Sequence, residues 1–232
     1  MVKRLSLLIL CCCLLCTPVR AAESEKLVAL TFDDGPSGRF TRKLLSGLDA
    51  RDVKATFLLC GYRMEQYPDL TQRIFEEGHE IGLHGYSHDS MQNMCPRETA
   101  REIKKTMALL PEGCKVSFLR PPGGLCSECT QTAAEEFGLS ILLWSVDPKD
   151  WAIHDAKTIV NTVVSRVRDG DVILLHDMSG SSVEAALEIV DALQKRGFRF
   201  VTVSALAQAR NVVLMPGTKY ARFGRADIQE NK

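Results

Sequence analysis

The sequence predicts an α/β fold on parallel strands, either an open doubly wound sheet or a barrel. Three observations carry that reading. Short apolar runs alternate with segments of helical periodicity from about residue 26 to residue 209, the pattern of strand–helix–strand units whose crossovers leave the strands parallel. The 232 residues suit one domain, and no repeat or linker divides them. Residues able to do chemistry fall just past the ends of the strand-like runs, the rim where parallel α/β folds build active sites.

The elements follow in order. Residues 27–32 are a strand stopped by Gly35-Pro36. Residues 39–50 place Leu44, Leu45 and Leu48 on one side of a helix. Residues 54–59 are a short apolar strand, and 64–77 a helix ended by Gly78. Residues 79–84 are a strand running into a polar loop. Residues 96–110 are a helix with Ile103, Met107 and Leu110 at helical spacing. Residues 115–119 form a strand that ends in Arg120-Pro121-Pro122-Gly123-Gly124. Residues 131–137 are helical and 139–146 a buried strand, with Trp144 in the core. Residues 156–168 are a helix turned at Asp169-Gly170, and 171–175 a strand ending at His176. Residues 183–195 are a helix, 198–203 the last strand, and Ser204 opens a short helix. Residues 211–232 lack pattern and read as a loosely held tail.

The first residues lie outside the fold. Met1-Val2-Lys3-Arg4 is basic, 5–16 is apolar apart from Ser6, and Val19-Arg20-Ala21 supplies small residues at a cleavage site. Residues 1–21 therefore read as a secretory signal peptide cut after Ala21 or Ala22, and the run is short for a membrane span. The expected location is secreted or extracytoplasmic, with no stable membrane span after cleavage. The whole chain balances 29 basic against 29 acidic residues; without Lys3, Arg4 and Arg20 the mature chain has 26 basic residues and a net charge near −3. Neither balance suggests a nucleic-acid partner. Five cysteines remain: Cys60, Cys95, Cys114, Cys126 and Cys129. Export permits disulfides, and the odd count leaves one thiol over. Cys126-Ser127-Glu128-Cys129 is a lone C-x-x-C, open to a tight disulfide, half a metal knuckle or two thiols, with a local disulfide favoured.

Asp33 and Asp34 follow the first strand, His84 and His88 the third, Arg120 the fourth, Asp147 and Asp150 the fifth, and His176 the sixth. An isolated Asp-Asp reads as an acidic turn. Two imidazoles four residues apart plus a carboxylate from another strand end give instead the three-ligand set of an open divalent site. Zinc is the first expectation; cobalt, nickel, manganese and iron suit the same donors. His79 and His154 read as surface or supporting residues, and Tyr86 is a candidate for the pocket edge whose direction the sequence leaves open.

Five segments then resemble, in order, the motifs of the polysaccharide deacetylase (NodB-homology, carbohydrate esterase) family. They are Thr31-Phe32-Asp33-Asp34-Gly35-Pro36, His84 to His88, Arg120-Pro121-Pro122, Asp147-Pro148-Lys149-Asp150-Trp151 and Leu174-Leu175-His176. The resemblance covers residues 26–209. It implies a single-domain distorted (β/α) barrel and metal-dependent removal of acetyl groups from an amino-sugar polymer such as peptidoglycan or a chitin-like chain. Acetylxylan is the alternative substrate, and a catalytically inactive carbohydrate-binding module the alternative role. It further implies Asp34, His84 and His88 as metal ligands, Asp33 as general base and His176 as general acid. Arg120 would pair with Asp33, and Asp150 or Asp147 would support the catalytic residues. Trp151, Gly123 and Leu174 would line the sugar groove of a monomer whose partner is an acetylated polysaccharide. Two positions depart from the pattern. Gly85 replaces the usual Ser or Thr that braces the loop between the histidines, which implies either a lower metal affinity or a brace from another group such as Ser87. Gly123 replaces a common aromatic residue, which opens the groove while keeping a backbone N–H for an oxyanion.

Overall fold

The computed structural model describes residues 25–224. The signal-peptide reading of residues 1–21 lies outside them. Eight strands form one parallel sheet: β1 (Lys26–Asp33), β2 (Thr56–Leu59), β3 (Glu80–Leu83), β4 (Phe118–Leu119), β5 (Ser140–Leu142), β6 (Val172–His176), β7 (Phe198–Phe200) and β8 (Lys219–Tyr220). The order is β6-β1-β2-β3-β4-β5-β8, with β7 beside the start of β1. Past β5, Val146 bridges Ile173 of β6, so the sheet curls toward closure into a barrel-like shape. Seven of the eight β1 residues are buried, as expected for a central parallel strand covered on both faces.

Among the described residues eight α-helices flank the sheet: α1 (Gly38–Asp49), α2 (Gly61–Gln66), α3 (Pro68–Glu76), α4 (Pro96–Met107), α5 (Glu128–Glu136), α6 (Ala156–Arg166), α7 (Gly180–Lys195) and α8 (Val203–Ala209). Leu44, Leu45 and Leu48 of α1 join Ile189, Val190 and Leu193 of α7 in the main core. Where one helix was expected over 64–77 there are two. Pro68 disfavours a helical residue before it, and Tyr67 takes φ −134°, ψ 60°.

Three further expectations change. The strand over 139–146 stops at Leu142, which places Trp144 beyond the sheet. Within the expected tail, residues 211–224 are tied down: β8 pairs with β5, Tyr220 stacks on the buried Phe223, and the Phe223 N–H donates to Gly170 O at 2.7 Å. Backbone pairing and one buried ring anchor a segment that has no sequence periodicity. All five described cysteines are free thiols, so the Cys126–Cys129 disulfide is absent; Cys126 precedes the α5 N-cap Ser127 and Cys129 lies in the first turn.

Candidate active site

The strand register assembles the site. Asp33 and His176 are direct neighbours across β1 and β6, while Leu83 pairs with Leu119, so His84 and Arg120 leave adjacent strands side by side. Successive strand side chains point to opposite faces. Asp33 ends β1 facing inward, and Asp34 reaches the same cleft because its backbone is left-handed, at φ 70°. His88 is left-handed as well, at φ 66°. Such conformations are uncommon outside glycine and concentrate at ligand and catalytic positions.

Asp34, His84 and His88 each bring one ligand atom into a group spanning no more than 4.8 Å. Asp34 Oδ1 lies 3.2 Å from His84 Nε2 and 3.0 Å from His88 Nε2. His84 Nδ1 is 2.7 Å from the Arg120 carbonyl, which can only accept, so Nδ1 carries a proton and Nε2 is the atom turned toward Asp34. Asp34 Oδ1 is buried with no hydrogen-bond partner among the described residues. A buried carboxylate oxygen without a hydrogen bond, beside two imidazole nitrogens, calls for a cation, and the donor set fits a divalent metal. Burial works against ionisation of Asp34, but the two imidazoles outweigh it and hold the carboxyl well below its usual range. His88 is pushed up in turn by Asp34.

Asp33 is 3% exposed, and its Oδ1 accepts from Arg120 Nη1 at 2.6 Å. Arg120 is fully buried. It also donates to Thr31 Oγ1 at 2.9 Å and to the carbonyls of Leu142 and Leu143 at 3.1 and 2.9 Å. On the other side, His176 Nδ1 is 2.8 Å from Asp150 Oδ1, and the His176 backbone N–H donates to Asp150 Oδ2 at 2.9 Å. Burial lowers the His176 pKa, but the hydrogen bond and charge of Asp150, backed by Asp33 and Asp34, raise it to about 9. Asp147 makes no such contact; its Oδ1 accepts from the Lys149 N–H. Of the two acids offered for the supporting role, the one touching His176 is Asp150.

A cleft of about 420 Å³ joins these groups, lined by Asp33, Asp34, His84, His88 and His176 together with Gly123, Asp147, Trp151 and Leu174. Trp151 is 63% exposed. Trp144, expected in the core, also lines the cleft, half-buried. Gly124 makes room for it: a Cβ there would sit 2.7 Å from the indole, at φ 72°. His79 is buried rather than superficial, accepting the Ala55 N–H at Nδ1 (3.1 Å), and is no part of the cleft. Thr31 went unnoticed in the sequence because nothing marks a strand threonine; its Oγ1 links Arg120 to the Ile173 carbonyl.

Residues 20–142 match the family model described as Polysaccharide deacetylase. A peptidoglycan-N-acetylglucosamine deacetylase of Bacillus cereus is 37% identical, the match covering 81% of this chain and 91% of that protein. The peptidoglycan-N-acetylmuramic acid deacetylase PdaC of Bacillus subtilis is 35% identical over 81% of this chain, which spans 40% of PdaC's length. The solved structure of PdaC superposes with a TM-score of 0.77 at 34% identity, covering 81% of this chain and 92% of that one. A family 4 acetyl xylan esterase from Clostridium thermocellum, solved with a cobalt ion, gives 0.79 at 34% identity over 85% of this chain and 98% of that one.

Proposed function

Since the chain belongs to the polysaccharide deacetylase family, hydrolases of acetylated sugars, we propose that it removes acetyl groups from an N-acetylated amino-sugar polymer outside the cytoplasm, after loss of residues 1–21. The names of the relatives favour peptidoglycan N-acetylglucosamine as substrate. The likeness to an acetyl xylan esterase makes acetylxylan the second reading.

The observation that carries the proposal is one cleft that gathers a carboxylate–imidazole trio with two separately held groups: Asp33 held by Arg120, and His176 held by Asp150. Asp34, His84 and His88 would hold the divalent ion, with zinc proposed first. Such an ion, when bound, polarises the acetyl carbonyl and lowers the pKa of water to about 7. Asp33, held in place by the buried Arg120 at 2.6 Å, would accept the proton of the attacking water. His176 stays protonated at neutral pH and would deliver a proton to the departing nitrogen. Asp150 fixes the ring with Nδ1 toward itself, leaving Nε2 for the substrate. Trp144 and Trp151 would hold the sugar, and the Gly123 N–H would face the oxyanion.

The test is metal analysis of the purified mature protein with acetate release from peptidoglycan, chito-oligosaccharides and acetylxylan. Bound divalent ion and acetate from peptidoglycan support the proposal. Acetate from acetylxylan alone moves it to the second reading. No metal after reconstitution and no acetate from any substrate sinks it.

A further inference from the structure

Within the loop that carries both histidines, Ser87 Oγ pairs with Asp89, accepting its N–H at 3.2 Å. Gly85, at φ 77°, offers no side chain to brace the loop. The constraint comes from α4. Glu102 Oε2 accepts the Tyr86 N–H at 2.8 Å and the Ser87 N–H at 2.8 Å, and lies 3.0 Å from Ser87 Oγ. These two N–H groups belong to the peptides between the histidines. One carboxylate oxygen therefore anchors the middle of the loop through charge-assisted bonds, the strong class of hydrogen bond.

The surroundings leave that oxygen little freedom. Glu102 is half-buried, one residue before the fully buried Ile103 of α4. A Cβ at Gly85 would stand 3.5 Å from Glu102 Oε2 and 3.0 Å from Met91 Cε, so the carboxylate packs against the bare glycine backbone. Tyr86 is held separately: its hydroxyl donates to Glu65 Oε2 at 2.8 Å, and Lys105 Nζ stands 3.4 Å over its ring. The Gly61 and Tyr62 N–H groups donate to the carbonyls of Gly85 and Tyr86, each at 3.0 Å. The Gly85 and Tyr86 carbonyls are thus satisfied by α2, and the Tyr86 and Ser87 amides by α4.

We propose that Glu102 is the positioning residue of the metal centre, fixing the Tyr86 and Ser87 peptides so that His84 and His88 converge with Asp34. This rests on the proposal that the trio binds a divalent ion, but the brace has its own observable. A second-sphere partner of this kind is worth about 10- to 100-fold in metal affinity.

The test uses the full mature protein and Glu102→Ala, Glu102→Gln and Ser87→Ala. Co²⁺ affinity is read from its visible absorption during titration, and amide hydrogen exchange is read at Tyr86 and Ser87 without metal. Glu102→Ala is expected to weaken Co²⁺ binding about 10- to 100-fold and to speed exchange at both amides. Glu102→Gln keeps an acceptor oxygen and should recover part of both losses. Ser87→Ala removes one of the three Glu102 contacts and the Ser87–Asp89 pair, but leaves both backbone N–H bonds to Glu102, so exchange at Tyr86 and Ser87 should change little. If Glu102→Ala fails to fold, Glu102→Gln alone decides, by faster exchange at the two amides and weaker Co²⁺ binding. Unchanged exchange and affinity in the folded variants overturns the proposal. A wild-type protein that binds no Co²⁺ overturns the metal reading instead, while the exchange data still decide whether Glu102 braces the loop.

Discussion

Arg120 Nη1 meets Asp33 Oδ1 at 2.6 Å, with Arg120 fully buried and Asp33 nearly so where it lines the cleft. Truncating one partner leaves an uncompensated charge in the interior, which costs about 3–5 kcal/mol. Arg120→Leu should therefore lower stability by that order, visible in urea melts, as well as abolish turnover. An exposed ion pair would lose under about 1 kcal/mol, and a loss that small would mean the pair is not buried in solution.

Asp33→Asn separates binding from chemistry. The trio Asp34, His84 and His88 does not include Asp33, so the variant should keep its divalent ion while acetate release falls at least about 100-fold, the lower range for a lost general base. His88→Ala should lose both. Near-normal turnover in Asp33→Asn would remove Asp33 from the role of base.

Asp150 should govern the alkaline side of the pH profile. With Asp150 in place, His176 is held up to about 9, so the protonated imidazole persists through neutral pH. In Asp150→Asn the burial that pulls the pKa down remains, the charge of Asp150 is gone, and only the weaker pull of Asp33 and Asp34 opposes it. The alkaline limb of kcat/KM should then move to lower pH, toward or below the ordinary imidazole value. An unmoved limb would show that another group sets it.

How the site was readable, and where it was not, follows from the same geometry. Asp33, Asp34, His84, His88, Arg120 and His176 are polar residues placed just after apolar runs, so their positions on the rim could be read by locating strand ends. The choice between Asp147 and Asp150 could not, because it depends on how residues 147–150 turn, with Lys149 left-handed at φ 59°. Trp144 was hidden by a strand read four residues too long; apolar residues continue past Leu142, but the backbone pairing does not. Glu102 sits in an ordinary charged stretch of α4, and its task appears only once the His84–His88 loop is packed against it. The fold depends on periodicity and is legible; these contacts join residues distant in sequence and are not.

Gly124 controls how far Trp144 reaches into the cleft. Gly124→Ala would place a methyl 2.7 Å from the indole and strain a backbone at φ 72°, so the ring should be displaced. KM for a chito-oligosaccharide should rise roughly tenfold, the equivalent of about 1.4 kcal/mol of lost contact, with the divalent ion still bound as tightly as before. Trp144→Ala should do the same. A changed kcat with unchanged KM in both variants would argue against Trp144 as a sugar contact.

Two buried groups outside the metal trio should give the fold opposite pH slopes. His79 is buried and neutral: burial pushes its pKa down from 6.5 to about 4. Above pH 6.5 neither state binds the proton. As pH falls from 6.5 to 4 the unfolded chain takes it up and the fold does not, so stability drops, by about 3 kcal/mol at full extent. Asp177 is the reverse case. Burial raises its carboxyl from 3.8 to about 7, so the fold keeps a proton that the unfolded chain releases, and stability falls as pH rises from about 4 to 7. Urea melts of chelator-treated protein between pH 4 and 8 would separate the two. His79→Gln retains an acceptor for the Ala55 N–H but cannot titrate, so it should lose the decline on the acid side, leaving the Asp177 slope uncovered. Asp177→Asn should lose the decline toward neutral pH. Slopes unchanged from wild type in either variant would mean that residue carries its proton alike in both states.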